Sequence, residues 1–145
     1  MGSDRLSDSV EMPLVIHSSE EMQELGRLLG RLLGPGDVVC LRGDLGTGKT
    51  TLTQGIAAGM GVHGQVASPT FTLVHEHPGA VPLFHLDAYR LENADELWDL
   101  GFEEYLRGDG VVVIEWGERV VEALPDSRLT LWLDYAGDAR RVRLE

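Results

Sequence analysis

The run "LRGDLGTGKTTLTQG", which begins at Leu41, constrains the fold of this chain more than any other stretch. Gly43-Asp44-Leu45-Gly46-Thr47-Gly48-Lys49-Thr50 fits the pattern G-x-x-x-x-G-K-[ST] at every fixed position. Before it stands "VVCLR", a continuous apolar run of strand length, and after it "KTTLTQGIAAGM", which has a helical pattern. Strand, glycine loop and helix in that order form the setting in which backbone N–H groups and a helix N-terminus can surround phosphates. Lys49 is the single lysine of the chain, against eleven arginines. An ammonium is a compact point charge, whereas a guanidinium is a broad planar fork, so one place in this chain requires the compact cation. Lys49 is expected to reach the β and γ phosphates and Thr50 to present its hydroxyl to magnesium. Asp44, Leu45, Gly46, Thr47, Gly48, Lys49, Thr50 and Thr51 are the candidate nucleotide-binding residues.

The remaining pattern alternates strands with helices. "LVIH" (Leu14 to His17) predicts a strand, and "SSEEMQELGRLLGRLL" a helix with Met22, Leu25, Leu28, Leu29, Leu32 and Leu33 at helical spacing. Ser18 with Glu21 forms a capping box, and "GPGD" ends that helix. "TFTLVHEH" and "PLFHLD" predict two strands joined through "PGAV". A helix follows from about Asn93 to Leu106, with Leu97, Leu100 and Tyr105 directed inward. "VVVIEW" predicts a central strand covered on both faces. "ERVVEAL" predicts a short helix, and "RLTLWLDY" with "RRVRLE" a closing hairpin. The expected fold is α/β: three layers of the P-loop NTPase kind, with a mostly parallel central sheet and additional antiparallel strands. One domain from 13 to 145 is expected, behind a loose N-terminus of residues 1–12.

No apolar run approaches the length of a membrane span, and the start lacks a secretory pattern, so a cytoplasmic location is expected. Cys40, the lone cysteine, reads as a small buried hydrophobe. The formal charge of −12 disfavours direct docking on a phosphate backbone, which excludes DNA and leaves RNA within reach only through another protein.

A phosphate loop needs carboxylates for the metal and the attacking water, and these belong where neighbouring parallel strands end. "PLFHLD" delivers Asp87 and "VVVIE" delivers Glu115. Asp87 is assigned to magnesium, directly or through water, and Glu115 to orienting or activating the nucleophilic water. Lys49, Asp87 and Glu115 are thus the catalytic candidates, and Thr50, Asp87 and Glu115 the candidate metal group. Thr70 in "ASPTFTLV" could present a hydroxyl near the γ phosphate, and Trp116 could shield the site or stack on a base. His75, His77 and His85 lie on adjacent strands, where a metal cluster is conceivable, but without a convergent carboxylate they read as structural or solvated. Arg140, Arg141 and Arg143 read as a solvated strand edge, while Arg42 and Arg90 flank the proposed site. The chain has no second lysine for the Asn-Lys-x-Asp element that reads guanine, which favours ATP with Mg2+. Its scattered arginines supply no lid of the small-molecule kinase type.

Together, Gly43 to Thr51, "SPTF" at Ser68 to Phe71, "HLDAYRL" from His85, "GFEEYL" from Gly101 and "IEWGE" from Ile114 resemble the TsaE family, also called YjeE. These are small bacterial ATPases of tRNA threonylcarbamoyladenosine biosynthesis. The resemblance runs from about Leu14 nearly to the C-terminus. It departs at His77, where relatives often carry tyrosine. It implies an accessory ATPase that acts with the TsaB and TsaD proteins, which install threonylcarbamoyl on an adenosine beside the tRNA anticodon. It also implies phosphates at Gly46, Gly48, Lys49 and Thr50, magnesium at Thr50 with Asp87, and hydrolysis at Glu115. Two other readings of the same loop are a small-molecule kinase and a non-catalytic nucleotide-sensing interaction module.

Overall fold

A computed structural model describes residues 14–44, 46–62, 74–116 and 119–145. The expected loose segment 1–12, Leu45, the "SPTF" segment with Thr70, and residues 117–118 lie outside these. Seven strands are described: β1 (Leu14–Ile16), β2 (Val38–Arg42), β3 (Val74–His77), β4 (Leu83–Asp87), β5 (Val111–Glu115), β6 (Leu129–Ala136) and β7 (Ala139–Leu144). They form one sheet in the order β1-β7-β6-β2-β5-β4-β3. Its centre is parallel, β2 pairing with β5 and β6, and β4 with β5. The pairs β1–β7, β6–β7 and β3–β4 are antiparallel.

Alternation along the strands builds two cores, one on each face. Val39, Leu41, Val111, Val113, Leu131 and Leu133 meet helices α1 (Ser19–Leu32) and α2 (Lys49–Gly59) on one face. Val38, Cys40, Leu86, Val112 and Ile114 meet the other layer, built from α3 (Ala94–Asp99), α4 (Phe102–Tyr105) and a 3₁₀ turn at Val121–Ala123. This is the expected three-layer α/β fold. No helix among the described residues is long and apolar enough to cross a membrane.

Ser18 starts α1 as expected. Its side chain accepts the Glu21 N–H at 3.1 Å, and the Glu21 carboxylate reaches back to the His17 N–H at 3.0 Å. The buried stripe differs from the leucine pattern. Met22, Gly26, Leu29 and Gly30 are buried, while Leu28 and Leu32 are exposed. The cause is close packing on α2. A Cβ on Gly26 would meet the Leu52 carbonyl and come within 2.8 Å of the Gly55 Cα, and one on Gly30 would meet the Ile56 carbonyl. The glycines bring the helix backbones together, so Leu29 beside Gly30 stays buried while Leu28 and Leu32 face outward.

The single helix expected over 93–106 is two. Asn93 caps α3 by accepting the Glu96 N–H at 3.2 Å, and Gly101, at φ +83°, turns the chain before α4. That turn leaves Leu100 exposed and buries Phe102 in its place. Within "ERVVEAL", the described residues hold the 3₁₀ turn at Val121–Ala123 in place of the expected helix.

Candidate functional site

The parallel strands β2, β4 and β5 end in register: Leu41 lies opposite Glu115, and Glu115 opposite Asp87. The sheet therefore delivers two carboxylates to the edge where β2 runs into the glycine loop. Odd-numbered residues of β4 and β5 face α2, so His85, Asp87 and Glu115 point into one layer with the loop.

Gly43 opens the loop at φ +152°, and a Cβ there would meet the Leu133 carbonyl and sit 2.9 Å from the Thr47 hydroxyl. Gly48 stands at the N-cap of α2 at φ +109°, in the left-handed region that suits glycine. The Thr47 hydroxyl donates to the Asp44 carbonyl at 2.7 Å and fixes the loop from below. Lys49, the first residue of α2, is 5% exposed. Its ammonium donates to the Gly43 carbonyl and, at 3.4 Å, to that of Asp44, and it lies 3.7 Å from the centre of the Trp116 ring.

Gly46, Gly48, Lys49, Thr50, Thr51, Asp87, Tyr89, Glu115 and Trp116 line a single cavity of about 390 Å³. Eight of these nine are residues that the sequence singles out. Thr47 lies buried beneath the loop. Asp44 is exposed and contributes its carbonyl to the loop's own bonds. Arg42 stacks on Trp132, 3.8 Å from its ring centre, and does not line the cavity; neither does Arg90.

Asp87 accepts the Tyr89 N–H at 2.9 Å. Burial raises its pKa above the ordinary carboxylate value, an effect that the Tyr89 bond opposes and the nearby Glu115 carboxylate reinforces. Glu115 is 3% exposed and shares a hydrogen bond at 2.5 Å with Nε2 of His85, which is fully buried. Sequence reasoning set His85 aside for want of a converging carboxylate, and the register of β4 against β5 supplies one. Trp116 has φ +61°, uncommon for a bulky residue; its N–H donates to the Leu41 carbonyl at 3.1 Å and its ring packs on Tyr89 at 4.9 Å. His75 and His77 touch edge to face at 6.0 Å between ring centres. Among the described residues, no three His, Cys, Asp or Glu side chains converge to hold a metal by themselves.

A second cavity of about 290 Å³ opens on the other side of the loop and shares Gly46, Gly48 and Thr51 with the first. His17, Ser18 and Met22 from the entry to α1, Asp138 from the β6–β7 turn and Arg140 from β7 also line it. Sequence reasoning missed this space, because it is assembled from the two ends of the chain by the β1–β7 pairing.

The chain matches the family model described as "Threonylcarbamoyl adenosine biosynthesis protein TsaE" over residues 16–142. Relatives carrying the name "tRNA threonylcarbamoyladenosine biosynthesis protein TsaE" include one from Streptomyces coelicolor, 51% identical over 119 residues (79% of this chain, 80% of the relative). Another, from Bacillus subtilis, is 46% identical over 123 residues (84% and 77%). A third, from Treponema pallidum, is 42% identical over 130 residues (90% and 96%). The crystal structure of Bacillus subtilis YdiB is similar at a TM-score of 0.80 and 37% identity, covering 92% of this chain and 83% of that one.

Proposed function

Because the chain belongs to the TsaE family, we propose that it is an ATPase of tRNA threonylcarbamoyladenosine biosynthesis, an accessory subunit that works with TsaB and TsaD in the cytoplasm. The observation that carries this reading is the register of Leu41, Glu115 and Asp87, which sets two carboxylates opposite Lys49 and Thr50 in one cavity. Charge of this kind, fixed in advance around transferring phosphates, is the main contribution a protein makes to phosphoryl transfer.

In the proposed reaction the loop amides around Gly46 and Gly48 hold the phosphates, and Lys49 leaves its carbonyl contacts to neutralise the β and γ oxygens. The second cavity, contiguous through Thr51, takes the nucleoside. The oxygen-rich set of Thr50 and Asp87 suits a hard cation that takes its remaining ligands from phosphate and water. Magnesium held there would screen charge on the phosphate oxygens. Glu115 orients the attacking water and accepts its proton, and Trp116 and Tyr89 close the cavity against bulk solvent.

ATP turnover measured with and without TsaB, TsaD and tRNA tests this. Slow hydrolysis by the chain alone and faster hydrolysis with the partners are expected. Glu115→Gln should keep magnesium-ATP binding and lose roughly 10²–10⁴-fold in turnover, the range for a positioned general base. Calorimetry in which magnesium-ATP does not bind at all would overturn the reading.

A further inference from the structure

We propose that His85 is the positioning residue for Glu115: its Nε2–H holds one carboxylate oxygen so that the other is left for the water in the cavity. The proposal rests on the reading of Glu115 given above and deepens it.

Three observations point to it. His85 is wholly buried, and the hydrogen bond to Glu115 at 2.5 Å joins two side chains that are both nearly without solvent. Nδ1 of the same ring is buried and has no hydrogen-bond partner among the described residues. A ring kept only to fill space would leave two nitrogens to be desolvated where leucine would leave none, so the one bond it makes must be what favours histidine here. With no acceptor for Nδ1 among the described residues, the tautomer that suits these contacts carries its proton on Nε2 and donates to Glu115.

The third observation is what else Glu115 could do. Lys49 and Asp87 line the same cavity. A Glu115 free to rotate can pair with the Lys49 ammonium or join Asp87 at the metal, and either orientation removes it from the water. His85, anchored in mid-strand opposite Val113, holds the carboxylate from the sheet side. It acts through Glu115 and touches no substrate.

The test compares His85→Leu, which fills the space without a donor, with His85→Gln, whose amide nitrogen has about the reach of Nε2. His85→Leu should lower kcat by roughly 10–100-fold, as for other outer partners of catalytic groups, and leave magnesium-ATP affinity within about threefold. His85→Gln should recover most of the rate. In a Glu115→Gln background, His85→Leu should add less than about twofold, because residues acting as a unit are not additive. Nitrogen NMR of the wild-type ring, which needs no variant to fold, should show a proton on Nε2 and none on Nδ1.

Normal turnover by His85→Leu beside a crippled Glu115→Gln would overturn the role of His85 alone. So would equal losses in the Leu and Gln variants, a full further loss in the Glu115→Gln background, or a proton on Nδ1. Normal turnover by Glu115→Gln would instead overturn the reading of Glu115, and this role with it.

Discussion

Asp87 sits where the sheet runs out, half-buried beneath Tyr89, and burial raises its pKa above 3.8. A raised carboxyl pKa contributes stability that is present below the unfolded value and is lost as pH rises through the folded one. Once ionised, Asp87 in the magnesium-free protein thus carries its charge at a cost. Asp87→Asn removes the charge and keeps an oxygen for the Tyr89 N–H. Without magnesium, the variant's Tm relative to wild type should rise as pH climbs from 3.8 through the raised value, then level off. Thermal melts across that window check this, and a difference that does not vary with pH would contradict burial as the cause. The same variant should lose the stabilisation that magnesium-ATP gives wild type. Asp87 and Glu115 were legible in the sequence because a carboxylate directly after a buried apolar run needs compensation. His85 was not, since its partner is thirty residues away and the two meet only through strand register.

Among the elements, α1 and α2 depend on each other through glycine. Lys49 and Thr50 begin α2, so the seat of α2 on α1 sets where the loop's cation and hydroxyl stand. Alanine favours a helix over glycine by about 1 kcal/mol. Yet a Cβ at Gly30 would collide with the Ile56 carbonyl and reach 3.0 Å from the Gly59 Cα, backbone atoms that yield only if the helices part. Gly30→Ala should therefore lose about 1–2 kcal/mol overall in denaturant unfolding, overpacking outweighing propensity. Nucleotide affinity should fall with it. Gly34→Ala, with nothing within 4 Å of its Cβ, should stay within about 0.5 kcal/mol and bind normally. Equal behaviour of the two variants would show that the glycine contact does not seat α2. Periodicity located α1, because its spacing is a local property. It did not separate buried Leu29 from exposed Leu28 and Leu32, because the depth of a helical face depends on the partner, and a glycine seam has no hydrophobic signal of its own. The break at Gly101 was missed for a related reason: a left-handed glycine inside a helical pattern reads as tolerated until burial of Phe102 shows which side of it packs.

For the whole molecule, the parallel centre was foreseeable from buried β-branched runs, but the order β6-β2-β5-β4 was not, since no local pattern states which strands become neighbours. That order decides whether two carboxylates share a cavity or stand apart. Charge is the other property of the molecule as a whole: 24 acidic side chains against 12 Lys and Arg give −12. RNA binding gains its main free energy from cations that replace condensed counterions, and self-repulsion from a surface this acidic works against it. The arginines that gather around Trp132 and Tyr135 are already engaged. Arg42 and Arg143 both lie over the Trp132 ring, at 3.8 and 5.3 Å from its centre, and Arg140 lies 4.6 Å from the Tyr135 ring centre. At about 150 mM salt, where charges beyond roughly 8 Å are screened, tRNA should not bind the isolated chain. A band that contains both this chain and tRNA should appear only when the proposed partners TsaB and TsaD are added. Binding by the chain alone, weakening steeply with salt and abolished by Arg143→Glu, would show that the Trp132 face overcomes the net charge, and the partners would then not be needed to bring this protein to tRNA.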